Sequence, residues 1–352
     1  MLYGHTVSAL LAPTYQQGVW FDVWQFQRGL TSSLFLLLSG FAFSIATGRH
    51  WATHLGWSPA IVKRVRRFAM FVALGYALHF PASRFADLDD TSDQAWRSFL
   101  AVDVLQLIGV TFVGVQLLVL VVRTRRAFTF ATLVLAAATT LLTPAVWGVD
   151  WSSRLPVWLA AYLSPSTGSL FPLFPWAAFV LLGAGLGQLY GRWGVADLAR
   201  YANAGLLAPG AVLVGLSFAA RAATGLFGSA PANTLPGEVL VRAGACLVIL
   251  GGIARLSRRI TRLPHVFGAV AQESLLIYFV HLCIVYGSVW NAGLVRRYGA
   301  TLPPFRTLIV VVSLILSMVV LAWYWNWLKH ARPRAARWTA IGVWTVLVYR
   351  LL

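Results

Sequence analysis

Acidic side chains are scarce in this chain: 10 Asp and Glu stand against 28 Lys and Arg in 352 residues, and only 11% of all residues carry a charge. A soluble domain carries about a quarter of its residues as charges. That poverty, with 59% apolar residues and a mean hydropathy of +0.73, excludes a soluble globular fold. Cysteine is nearly absent as well. Cys246 and Cys283 both lie inside apolar runs, where a thiol packs as a small hydrophobe, so no disulfide is expected. There is no CxxC, no HExxH and no Gly-rich phosphate loop, so a resident metal and ATP hydrolysis both lack support. The opening residues lack the basic region and small-residue cleavage site of a secretory signal, and no internal repeat is visible. A formal net charge of +18 would suggest nucleic acid in a soluble protein, but here the cations fall in short loops between apolar runs, and no nucleic-acid partner is expected.

Apolar sequence, by contrast, is abundant. A helix must cover about 30 Å of hydrocarbon to cross a bilayer, and the runs near 30–48, 66–82, 100–122, 128–146, 171–190, 202–221, 238–254, 267–290 and 306–328 are of that kind. The opening 1–12 is too short to cross alone and 338–352 is marginal. The chain therefore reads as an all-α polytopic transmembrane bundle of ten or eleven spans, a single integral-membrane domain over 1–352 whose first span is cut short at Met1.

Lys63, Arg64, Arg66 and Arg67, then Arg123, Arg125 and Arg126, then Arg192 and Arg200, then Arg255, Arg258, Arg259 and Arg262, then Lys329, Arg332, Arg334 and Arg337 recur on one side of successive spans. The excess of cations assigns that side to the cytoplasm of a cell (inner) membrane. The opposite side holds DLDDTSD at 87–93, WGVDWSSRLPVW at 147–158 and a Pro/Asn/Thr/Gly-rich segment at 229–237. Trp20, Trp24, Trp147, Trp151 and Trp158 fall at that outer interface, where indole rings anchor.

Ionisable groups at membrane depth are costly and mark function by default. Here they are His5, Arg28, His79, Asp103 with Gln106, Arg242, and Glu273 with His281. On this topology all but Glu273 lie in the outer half or middle, as the lining of a polar cavity open to the outside would. The same groups could instead bond one helix to another, for example as an ion pair of Asp103 with Arg28 or Arg242. Glu273, Ile277 and His281 share a helix face at four-residue spacing. The run GAGLGQLYG reads as close helix packing, and FPLFP, with Pro172 and Pro175, as the opening of its span.

Five segments in order, MLYGHTVSALL, FQRGLTSSLFLLLSGFAFSIATG, VDVLQLIGV, LFPLFPWAAFVLLGAGLG and QESLLIYFVHL, resemble the multipass acyltransferase family that includes heparan-alpha-glucosaminide N-acetyltransferase and related bacterial acyltransferases. In that family the first span carries an acidic and an Arg-Gly element ahead of a catalytic histidine in the pattern Met-x-x-x-His. MLYGH puts His5 at that histidine, while the upstream element has no counterpart; the Arg-Gly of Arg28 and Gly29 lies elsewhere.

The resemblance implies transfer of an acetyl or other short acyl group from cytoplasmic acetyl-CoA or another acyl-CoA to an outward-facing sugar or glycan. His5 would act as base or acyl carrier, with Arg28 and Asp103 beside it in the catalytic group. Lys63, Arg64, Arg66 and Arg67, like the basic stretch at 255–262, would meet the CoA phosphates, although both clusters also satisfy the positive-inside rule with no ligand, and His79, Arg242 and His281 would meet the acceptor. The implied partners are membrane lipids, acyl-CoA and the carbohydrate, with self-association into a homo-oligomer also compatible. Rival readings are a proton-coupled transporter or flippase and a non-catalytic remnant; the lack of similarity between the two halves weighs against a transporter built from inverted repeats.

The orientation has a direct check. With Cys246 and Cys283 replaced, a cysteine introduced near Asp90 should react with an impermeant thiol reagent on intact cells and one near Arg259 should not. The opposite labelling would invert the topology.

Overall fold

The computed structural model describes residues 1–227, 236–260 and 262–352, with side chains throughout except at 220, 221 and 223–227. Most of the outward segment expected at 229–237 thus lies outside the described residues. The helices are α1 (Leu2–Leu10), α2 (Val19–Arg49), α3 (Pro59–Leu78), α4 (Asp93–Leu100), α5 (Val104–Val122), α6 (Arg125–Trp147), α7 (Val157–Leu163), α8 (Leu173–Leu189), α9 (Leu198–Arg200), α10 (Ala208–Phe227), α11 (Pro236–Ser257), α12 (His265–Gln272), α13 (Ser274–Tyr286), α14 (Leu294–Tyr298), α15 (Pro304–Ala331) and α16 (Pro333–Tyr349). One two-residue antiparallel pair, β1 (Gly287–Ser288) and β2 (Asn291–Ala292), follows α13.

Each apolar run read from the sequence is occupied by a helix. Among the described residues, α2, α5, α6, α8, α10 with the turns before it, α11 and α15 are long and apolar enough to cross a membrane, and α12 with α13, bent by 70°, makes an eighth span if the pair counts as one. This is a multi-pass α-helical membrane protein. Helix α3 misses that standard because Lys63, Arg64, Arg66 and Arg67 fill its first half, and α1 and α16 are too short. These three make up the difference from the ten or eleven spans expected.

One boundary moves in a way that matters. Helix α2 starts at Val19 rather than near 30 and runs for 31 residues, about 46 Å at 1.5 Å per residue. Gly18, at φ +90°, closes the preceding loop, no proline follows, and Asp22 in the first turn complements the helix dipole. Arg28 therefore sits inside α2 instead of ahead of it.

The chain forms two compact units. One comprises Met1–Arg28, Ala77–Phe99 and Thr261–Leu352; the other Gly29–Tyr76 and Leu100–Ile260.

In the second unit α8 is the most buried long helix. A methyl on Gly40 of α2 would strike the Val180 carbonyl oxygen of α8, and one on Gly183 the Leu37 carbonyl oxygen of α2. Lipid offers helices no hydrophobic drive to associate, so backbone approach of this kind, through dispersion contacts, is what joins them. The GAGLG run is a packing face, as expected. Pro172 caps α8 and Pro175 lies in its first turn.

In the first unit α1 packs against α13, α14 and α15, around a core of Val285, Leu314 and Met318 joined by Leu2, Ala9 and Ile284. The end of α1 is pinned to the segment before α15 by Ala12 N–H to Leu302 O (3.0 Å) and Leu302 N–H to Leu10 O (2.9 Å). At the α12–α13 bend Glu273, 5% exposed, pairs with Lys329 of α15 at 2.5 Å. The Asn326 amide donates to Gln272 Oε1 (2.8 Å) and Glu273 Oε1 (3.0 Å). Opposite these contacts α15 exposes Leu308, Val312, Leu316 and Val320, an apolar face for lipid.

Replacing Gly183 with Leu should lower the thermal midpoint of the detergent-solubilised protein by several degrees, since overpacking costs about 1–3 kcal/mol. Gly252 of α11 borders open space, and Gly252→Leu should leave the midpoint nearly unchanged. Equal losses from the two would remove the packing explanation.

Candidate functional site

In the first unit, α1 carries Gly4, His5 and Ser8 within its nine residues. Arg28 of α2 lies across it. The Arg28 stem rests on Gly4, where an added Cβ would come within 2.9 Å of Arg28 Cγ, and its guanidinium donates to Ser8 Oγ while sitting 5.4 Å from the Trp24 ring centre. The Tyr3 hydroxyl donates to Gln27 one residue away. A cation is thereby held against Gly4 and Ser8 of the helix that carries His5.

Helix α13 supplies the other wall. His5 Nδ1 lies 3.1 Å from the Tyr286 hydroxyl, with the two rings edge to face at 5.7 Å. The His281 ring centre is 5.5 Å from that of His5. His281 is 1% exposed. Its Nδ1 is 2.8 Å from the Ile277 carbonyl oxygen, an acceptor, so the ring proton resides on Nδ1 and Nε2 keeps its lone pair. That Nε2 is buried and, among the described residues, has no hydrogen-bond partner. Tyr278 packs edge-on against the same ring at 5.6 Å. The arrangement groups two imidazoles with the phenols of Tyr286 and Tyr278, which suits proton abstraction, and the Arg28 guanidinium lies on the same short helix at Ser8.

Of the other expected site residues, His79 belongs to this unit and is exposed just past the end of α3. The rest lie in the second unit. Asp103, expected inside a span, is instead the N-cap of α5: its carboxylate accepts the Val104 N–H at 2.7 Å, and Gln106 Oε1 accepts the Asp103 N–H at 3.2 Å, a capping box. Arg242 of α11 lies 6.0 Å from the Trp176 ring centre, with its guanidinium in van der Waals reach of Gly29.

The basic cluster divides. Arg64 turns inward, donating to Thr47 Oγ1 (2.8 Å) and Gln116 Oε1 (3.2 Å) and lying 5.1 Å from the Phe43 ring centre. Buried His54 sits nearby. Burial, and then the Arg64 charge, hold its imidazole below the ordinary histidine pKa, so it is neutral at pH 7. Lys63, Arg66 and Arg67 stay exposed, and Lys63 and Arg66 line a surface cavity of about 600 Å³ with Trp57 and Ser58. No group of three or more His, Cys, Asp or Glu able to hold a metal occurs among the described residues.

Comparison with known families decides the wider class. The family model described as heparan-alpha-glucosaminide N-acetyltransferase, catalytic, matches residues 1–218. The chain belongs to this family. Comparison with curated proteins and with solved structures gives no match. Membership in the heparan-alpha-glucosaminide N-acetyltransferase catalytic family makes this a membrane protein of acyltransferase type. The matched segment contains His5, Arg28, the 63–67 cluster, His79 and Asp103, and ends before Arg242, His281 and Tyr286.

Sequence reading passed over Tyr286, Ser8 and His54. Tyr286 ends an apolar, aromatic helix and meets His5 across 281 residues, so no local pattern marks it. The Asp103–Gln106 spacing, however, is a legible capping signature.

Asp103→Ala should cost about 1 kcal/mol of stability by removing the cap, and Asp103→Asn should restore most of it. Thermal unfolding of the two variants checks this; an Asn variant as unstable as the Ala variant would mean that the carboxylate charge, not the cap, matters.

Proposed function

We propose that the protein moves an acetyl or other short acyl group from cytoplasmic acyl-CoA to an amine or hydroxyl of an outward-facing sugar or glycan, with His5 as the reacting imidazole. The observation that carries this reading is His5 itself. It stands at the Met-x-x-x-His position within the family match, and its Nδ1 lies within hydrogen-bond distance of the Tyr286 hydroxyl.

In the tautomer that donates Nδ1–H to the Tyr286 oxygen, the basic nitrogen of His5 is Nε2. That nitrogen takes the proton of the acceptor N–H or O–H as the acceptor atom attacks the thioester carbonyl. The tetrahedral oxyanion that forms then collapses, expelling the CoA sulfur, which receives the proton back from His5. If His5 instead carries the acyl group covalently, the same Nε2 lone pair attacks the thioester and the thiolate leaves first. Either route needs Nδ1 occupied, and Tyr286 supports both. Arg28, steadied by Ser8, is the cation for the oxyanion, and His281, its ring centre 5.5 Å from that of His5, stands behind it on the acceptor side.

The remaining assignments are part of the proposal. Lys63, Arg66 and Arg67 present charge to the phosphates of CoA, with Arg64 holding the helices behind them. His79 and Arg242 contact the acceptor, and Asp103 contributes through the helix it caps. The setting is the cell (inner) membrane, with lipid around the bundle and self-association of the chain allowed.

The test is transfer of label from radiolabelled acetyl-CoA by the purified protein to a panel of amino sugars and glycans. His5→Ala should lower transfer by at least about a hundredfold in a protein that keeps its thermal midpoint. Tyr286→Phe should lower it about five- to tenfold, the worth of one hydrogen bond. Wild-type transfer by His5→Ala would overturn the role given to His5.

A further inference from the structure

The cavity at the cytoplasmic end of α11, on the topology above, contains none of the residues given a role in the proposed function. It measures about 720 Å³ and is lined by Ala199, Asn203, Arg255, Leu256, Arg258 and Arg259. Three guanidinium groups face one space, and no carboxylate lines it. The sequence contains no Asp or Glu between Glu238 and Glu273. Asp197, two residues before the lining Ala199, accepts the Arg200 N–H on its carboxylate at 2.9 Å, capping α9. Among the described residues none of the three arginines has an ion-pair partner.

One of them is nevertheless held in place. Arg255 donates its Nε to Asn203 Oδ1 at 2.9 Å. Asn203 belongs to a π-helical turn, Tyr201–Leu207, that leads into α10, and that turn is anchored by the Tyr201 hydroxyl donating to the Leu186 carbonyl at 3.0 Å. Wide turns of this kind recur at functional sites. A basic loop that served topology alone would need the charge and no such orientation. The Asn203 bond leaves the terminal nitrogens of Arg255 available as a fork, the geometry that grips tetrahedral oxyanions.

We propose that this cavity is an anion site for a phosphate-bearing ligand, with Arg255 as the oriented fork and Arg258 and Arg259 as additional cations. Two ligands share that chemistry: the phosphates of the CoA donor, an assignment that rests on the function proposed above, and the headgroup of an anionic phospholipid, for which Leu256 offers an apolar wall.

The full-length protein in phosphatidylcholine nanodiscs is titrated with CoA, and in parallel its retention of phosphatidylglycerol is read by native mass spectrometry. Wild type is compared with Arg258→Gln/Arg259→Gln, with Arg258→Lys/Arg259→Lys, which keeps the charge that sets topology, and with Asn203→Ala. The Gln pair should weaken the ligand about tenfold per guanidinium removed, and the Lys pair and Asn203→Ala by several-fold. A loss of CoA affinity identifies the donor phosphates; unchanged CoA affinity with a loss of phosphatidylglycerol identifies the headgroup. If neither changes in the Gln pair, the arginines set topology only and the site is refuted. Failure of the wild type to bind CoA at all would count against the acyl-CoA reading, whatever the lipid result.

Discussion

Helix α1 is nine residues long, and a helix of two and a half turns has no stability of its own. Whatever His5 does depends on how α1 is held. Three kinds of contact hold it: the backbone bonds to Leu302 at its end, the apolar packing of Leu2 and Ala9 with α13 and α15, and the Arg28 side chain laid over Gly4 and Ser8. Gly4 is the smallest part of this and the least replaceable. A side chain there would push the Arg28 stem away and take the guanidinium with it. The same contact that secures the helix therefore sets where the Arg28 charge lies along α1.

The rest of the polar inventory follows from the cost of leaving a charge or dipole without a partner where water is scarce. Arg64 is satisfied by Thr47 and Gln116, Glu273 by Lys329 and Asn326, and Asp103 by the first amide of α5. Each of these joins helices or ends one. A charge in a membrane helix thus identifies a constraint without saying which kind, and only its neighbours separate an architectural residue from a reactive one. His281 differs because one of its nitrogens is engaged and the other is not.

How much of this was legible in the sequence depends on the range of the interaction. Apolar length is a local property, and every span read from it is helical. The ends of the spans were less legible. The first turns of α2 mix Trp20, Asp22 and Gln25 with apolar residues, which lowers hydropathy without breaking the helix, so Arg28 seemed to precede a helix that contains it. Arg64 was indistinguishable from its neighbours Lys63 and Arg66 in composition; helical phase, three residues after buried Ile61 and four before buried Phe68, turns it inward to Thr47. Membrane depth marked His5 as one of several candidates, and the family pattern separated it from the others. Its partners on α13 are nearly the whole chain away, and nothing in SLLIYFVHLCIVY separates Tyr286 from the other aromatics.

The two histidines have unequal parts in the proposed reaction, and geometry explains why. Rings 5.5 Å apart in a medium of low dielectric cannot both carry a proton without strong repulsion. His281 has its single proton committed to the Ile277 carbonyl and its other nitrogen enclosed by protein, so in the proposed reaction it backs the His5 ring instead of taking the proton. His5 is half-buried and borders Tyr286, which can accept the Nδ1 proton while Nε2 gains one. The ring that is less enclosed is thus the one able to cycle its charge, and the enclosed ring beside it remains uncharged throughout. Exchanging their environments would disable both, because a base sealed by the helix cannot reach the acceptor and an exposed His281 would compete for the same proton.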